Sequence, residues 1–138
     1  MSKDEFMIHL VILAKRMCNS DYTALSGTLE NSFGFKKAQW ASIISVERKT
    51  LYNWRSKPKT SVHPNTVSKL NTLNELLPNM DEGHAQYLAK LSFGRISIEE
   101  LRFALTSKDA SAQDLIDVYE KHYTAFDGLL KRSRHNLA

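Results

Sequence analysis

The stretch Gln39-Trp40-Ala41-Ser42-Ile43-Ile44-Ser45-Val46-Glu47-Arg48-Lys49-Thr50-Leu51-Tyr52-Asn53-Trp54 decides how the chain is read. Apolar residues recur at helical spacing on both sides of Ser45-Val46-Glu47, which predicts two short helices, about 36–44 and 47–55, with only a residue or two between them. Helices that cross steeply through so short a turn need a small residue where they touch, and Ala41, four before the turn, supplies it. Trp40, Ile44, Val46, Leu51 and Trp54 then face a shared core. The outward positions of the second helix are Arg48, Lys49, Tyr52, Asn53 and Ser56, long or hydrogen-bonding side chains able to reach base edges in a groove.

Outward from this stretch the same periodicity continues, and no run of four to eight residues alternates apolar and polar as a strand would. The chain is expected to be all-α. A first helix is predicted over about 4–18 with Phe6, Leu10, Leu13, Ala14 and Met17 on one stripe, ended by Asn19-Ser20-Asp21. A second, about 22–33, stops at Gly34, a residue suited to the left-handed cap conformation. The polar, proline-bearing stretch 56–64 reads as a loop, and Pro64 opens a helix whose Val67, Leu70, Leu73 and Leu77 form a core stripe ending at Pro78. Beyond it, helices are predicted over about 81–92, 97–105 and 111–131. Ser97 with Glu100, and Ser111 with Asp114, have the spacing of capping boxes. The domain reading is an N-terminal helix (1–21), a central domain (22–77) and a helical extension (78–138).

At 138 residues, with 42% apolar and 25% charged residues, the chain has the size and composition of one ordinary soluble domain and no room for a second catalytic one. A lone Cys18 forms no internal disulfide, and none of the five histidines lies three or four residues from another or from Cys18, so no metal and no cofactor is expected. The most apolar stretch, 7–14, is far shorter than the roughly 20 residues of a membrane span. A cytoplasmic location without membrane association is expected. No nucleophile, base and orienting group occur together, so enzymatic activity is not expected.

Charge is unevenly spread. Residues 36–69 carry eight basic side chains against one acidic, a local +7 within a chain of net +4, which leaves −3 for the remainder. A basic stretch interleaved with Tyr52 and Asn53 suits a phosphate-rich duplex.

Gly34-Phe35-Lys36-Lys37-Ala38-Gln39-Trp40-Ala41, followed by Ser45-Val46-Glu47-Arg48-Lys49-Thr50-Leu51-Tyr52-Asn53-Trp54-Arg55, resembles the Cro/repressor-type, Xre-like helix-turn-helix family over about 22–77. Family members commonly carry Gly-Val-Ser at the turn, where this chain has Ser45-Val46-Glu47. Ser45 must then accept a positive φ that glycine takes freely, and Glu47 replaces a better helix cap. The resemblance implies a lambda-repressor-like fold with added N- and C-terminal helices, and a transcriptional regulator, a repressor of bacterial or phage origin, whose partner is double-stranded DNA. Arg48, Lys49, Tyr52 and Asn53 would read bases, while Lys36, Lys37, Gln39, Arg55, Lys57 and Lys59 would hold phosphates. Because one such motif contacts few base pairs, a homodimer is expected, through the aromatic C-terminal stripe Tyr119, Tyr123, Phe126 and Leu130, unless that helix folds back on its own domain. The alternative is an antitoxin-like interaction module whose extra helices clasp a protein partner and in which DNA binding is secondary or lost.

Overall fold

The computed structural model describes residues 19–137. Among the described residues there are eight α-helices and two short 3-10 turns, and no strand, so the described fold is all-α as the periodicity predicts. The predicted helix over 4–18, with its apolar stripe and Cys18, lies outside the described residues.

Helix α1 (Asn19–Phe33) takes in Asn19-Ser20-Asp21, which the sequence reading treats as a break; Asp21 instead sits in its first turn, where a carboxylate complements the helix dipole. Gly34 ends it at φ 76, its N–H returning to the Glu30 carbonyl at 3.1 Å. A Cβ there would stand 2.8 Å from the Gln86 carbonyl oxygen, so glycine is required both by φ and by the close approach of a distant segment. Helices α2 (Lys37–Ile44) and α3 (Arg48–Ser56) follow, within a residue of their expected bounds. The loop after them leads to α4 (Pro64–Leu76), with Pro64 in its first turn and the His63 ring accepting from the Asn65 N–H.

The C-terminal part departs further from the sequence reading. In place of one helix over 81–92 there is a turn through Gly83 (φ 86), a 3-10 turn at Ala85–Tyr87 and the short α5 (Leu88–Phe93). Helix α6 (Glu99–Thr106) is capped by the Ile98 backbone, and the expected Ser97–Glu100 box does not form, because Glu100 turns to Lys121 and His122 at 3.0 Å. The Ser111–Asp114 box does form, with reciprocal bonds of 2.9 and 3.1 Å at the start of α7 (Ala112–Lys121). The expected single helix 111–131 is broken at His122 (φ −106, ψ 19), after which α8 (Tyr123–Leu137) begins.

One apolar core runs from Tyr22 to Phe126. Helix α4 is central to it, packing against α1, α2 and α7; α6 lies on α5 and α7 and also touches α2, and α8 rests on α5. Burying rings such as Trp40, Phe33, Phe126 and Tyr119 contributes about 2 kcal/mol or more each. The central segment 22–77 and the extension therefore share apolar surface.

Candidate functional site

The geometry of the central stretch follows from its sequence. Trp40 is fully buried, stacks on Phe35 with ring centroids 5.7 Å apart, and donates its Nε1–H to Ser26 Oγ at 2.8 Å. Ala41, Ile43, Ile44, Leu51 and Trp54 are buried and Val46 is half-buried, so the residues assigned to a shared core are in it. Ser45 takes φ 59, ψ 48, and is the only non-glycine residue at positive φ among those described. Its left-handed conformation lets the Ser45 and Val46 amides return to α2, the latter reaching the Ala41 carbonyl at 3.0 Å. Glu47 caps α3 with its backbone alone, making no side-chain cap bond. The two departures from the Gly-Val-Ser pattern thus have local structural consequences: a serine where glycine is easier, and an N-terminus without its usual oxygen acceptor.

On α3 the spacing 48, 49, 52, 53, 56 places Arg48, Lys49, Tyr52, Asn53 and Ser56 on one exposed face, opposite Leu51 and Trp54. Tyr52 is 53% exposed, uncommon for a ring with no packing role. Lys36, Arg55, Lys57 and Lys59 are exposed as well. None of these six cations forms an ion pair among the described residues.

Two of the residues assigned to phosphates are engaged within the chain. Lys37 is half-buried and bonded to both carboxylate oxygens of Glu30, at 2.9 and 2.7 Å. The Gln39 Oε1 accepts from the Lys36 N–H at 3.0 Å, closing the first turn of α2. A second basic residue of the +7 stretch, Lys69, is buried in the core face of α4 and donates to the Ser107 carbonyl at 2.8 Å. The register shows why: Thr66, Lys69, Leu70, Leu73 and Leu76 share one stripe, so a lysine three residues after Thr66 and four before Leu73 is carried inward. Leu76, one place from the expected Leu77, completes that stripe.

The aromatic stripe expected at a dimer interface lies largely inside the chain's own fold. Tyr119 and Phe126 are buried, while Tyr123 and Leu130 are half-buried. Tyr123 and Phe126, which follow the break at His122, pack their rings on His84, which is 1% exposed. Tyr119 Oη accepts from the Asp81 N–H at 3.0 Å and lies 2.7 Å from His84 Nδ1; His84 Nε2 lies 3.2 Å from Asp127 Oδ1. A tyrosine O–H donated to Nδ1 and an Nε2–H donated to the carboxylate satisfy every member of this chain of bonds. Lys131 and His84, both bonded to Asp127, hold its carboxyl below the usual range. The bond from Tyr123 to Asp81 pushes the Tyr123 phenol up to about 12. Nothing in residue spacing signals this cluster, because His84, Tyr119 and Asp127 are far apart in the chain.

Among the described residues no group of three His, Cys, Asp or Glu side chains is placed to hold a metal ion, and no helix is long and apolar enough to cross a membrane. No family model matches the chain, and no curated protein and no solved structure matches it.

Proposed function

We propose that α2 and α3 act as a helix-turn-helix of the Cro/repressor, Xre-like kind, and that the protein is a sequence-specific DNA-binding regulator acting as a repressor. The observation that carries this reading is the outward face of α3. Arg48, Lys49, Tyr52 and Asn53 stand exposed together there, and they and Lys36, Arg55, Lys57 and Lys59 are exposed with no carboxylate paired to any of the cations among the described residues. Left unpaired, six cations repel one another unless a polyanion answers them, and a helix face of Arg, Lys, Tyr and Asn offers the donors that base edges in a major groove accept. Arg48, Lys49, Tyr52 and Asn53 are the base readers in this reading; Lys36, Arg55, Lys57 and Lys59 hold phosphates. Lys37 joins them only by releasing Glu30.

A homodimer on a two-fold site belongs to the same reading, because one recognition helix covers few base pairs. With Tyr119 and Phe126 in the chain's own core, the second copy must meet another surface. The test is selection from a random duplex pool, followed by binding at two salt concentrations. Enrichment of a palindrome, with affinity falling steeply with salt, is the expected result; no retention at low salt refutes the reading.

A second reading, an interaction module comparable to an antitoxin, rests on a different observation. Ile96 and Phe103, 89% and 74% exposed, stand outside the core on and just before α6. An exposed phenylalanine and isoleucine on a stretch with no duplex-binding character suit a protein partner.

A further inference from the structure

A cavity of about 650 Å³ opens beside the turn between α2 and α3, walled by the C-terminal end of α2, the first three turns of α4 and the segment 106–110. Its volume is within the range of small-molecule sites, about 300–1,000 Å³. Ile43, Val46 and Ala110 supply apolar wall, while Ser68 and Thr72 supply hydroxyls.

The charges around it are unbalanced. Its titratable lining groups are Lys69, Lys108, His63 and Asp109. Lys69 is 9% exposed, and the one bond found for its three N–H donors goes to the Ser107 carbonyl. No carboxylate lies within 4.0 Å of its ammonium among the described residues, Asp109 being exposed at the rim. Burial pushes the ammonium below the ordinary lysine range, and no neighbouring charge draws it back. A cation withdrawn from water without an anion is costly, and folds that keep one ordinarily pair it. Lys108 adds a second positive charge at the exposed edge of the same cavity.

We propose that this cavity binds a small organic anion, its carboxylate or phosphate group held by Lys69 with Lys108 at the mouth, and its remainder lying against Ile43, Val46 and Ala110. The Ser68 and Thr72 hydroxyls supply further donors. An occupant would bridge the α2–α3 turn to the segment before α7, joining the central stretch to the C-terminal extension.

The two head groups are separated by titrating the full chain with inorganic phosphate and, independently, with acetate, each against chloride at constant ionic strength, and following backbone amides by NMR. Saturable shifts confined to residues 65–69 and 106–110 with one of the two anions are expected, and the anion that saturates identifies the head group. Lys69→Met, matched in shape but uncharged, is expected to melt no lower than the parent and to bind that anion at least about tenfold more weakly, the loss expected of one charge-assisted hydrogen bond. Lys90→Gln, at an exposed lysine of α5 that neither lines the cavity nor belongs to the basic face of α3, is expected to leave the titration unchanged. Shifts that fail to saturate, that spread over all exposed lysines, or that persist in Lys69→Met overturn the proposal. Should Lys69→Met not fold, the parent titration and the Lys90→Gln control decide it. No DNA is present in the experiment, so its outcome is independent of the regulator reading.

Discussion

Around α2 the rings of Phe33, Phe35, Trp40 and Phe93 meet one another directly, at centroid distances of 5.7–6.0 Å, with the Trp40–Ser26 bond the one polar tie in the group. Around His84 the rings of Tyr119, Tyr123 and Phe126 also lie close, but Tyr119, Tyr123 and the imidazole each carry a bond to Asp81 or Asp127 or to one another. Charge follows the same division. The basic residues of 36–59 other than Lys37 are exposed and form no ion pair among the described residues, whereas Lys121, His122 and Lys131 are each paired with an acid. Shape holds the first region and leaves its surface charge for use elsewhere; the second spends polar groups on its own order. A core held by dispersion and apolar burial tolerates any surface, so the outward face of α3 can be tuned for recognition without touching stability.

The largest effect that would break this comparison is expected in the first core. Trp54→Ala should cost about 3–5 kcal/mol and leave little of the roughly 5–15 kcal/mol such a domain has, measured by urea denaturation. Trp54 Nε1 is buried and has no hydrogen-bond partner among the described residues, so Trp54→Phe should cost far less than Trp54→Ala. Equal losses would mean that the indole nitrogen has a partner.

Tyr119→Phe keeps the ring and removes the oxygen, orphaning the Asp81 amide and His84 Nδ1. A loss of about 1–3 kcal/mol is expected, although the apolar area is unchanged. A variant as stable as the parent would erase the distinction between the two cores.

On the face of α3 proposed to read DNA the sign of the distinction reverses. Asn53→Ala should leave the melting temperature within a degree or two of the parent's while weakening binding to a selected duplex by about 1–3 kcal/mol and relaxing preference at one base pair. Lys57→Ala should weaken all duplexes alike and lower the salt slope by about one. Identical behaviour of the two variants would remove the division into readers and phosphate contacts.

Ser45→Gly relieves a left-handed serine and should stabilise the fold by about 1 kcal/mol or less, the gain being reduced by glycine's extra freedom when unfolded. The smallest effect concerns acid. Asp127 and Glu100 are both held below the usual carboxylate range, the first by Lys131 and His84, the second by His122 and Lys121. Folded values below unfolded ones add stability that is complete above about pH 4 and lost as pH falls through the lower, folded values. Asp127→Asn should therefore flatten the acid limb of the stability profile, and Lys59→Ala should not; a flattening by both would place surface repulsion, not pairing, behind it.

Much of this was legible in the chain. Trp40, Ala41, Leu51 and Trp54 at helical spacing define the pair of helices, Gly34 and Ser45 mark the two left-handed residues near them, and Ser111 with Asp114 marks the start of α7. These are local matters, set by periodicity, φ preference and hydrogen bonds that span three or four residues, and a sequence states them directly. Lys69, counted in the sequence with the basic stretch, is instead carried onto the buried stripe of α4 beside Thr66 and Leu73.

What required the fold was everything joined across long separations. That Gly34 abuts Gln86, that Glu100 leaves Ser97 for His122, that the helix breaks at His122 so that Tyr119 and Phe126 close over His84, and that Lys69 meets the Ser107 carbonyl at a cavity wall are outcomes of packing. An amphipathic stripe states that a face will be buried and leaves open against what. Only the competition among all such faces for one core decides whether a partner chain or the chain's own neighbouring helix covers it.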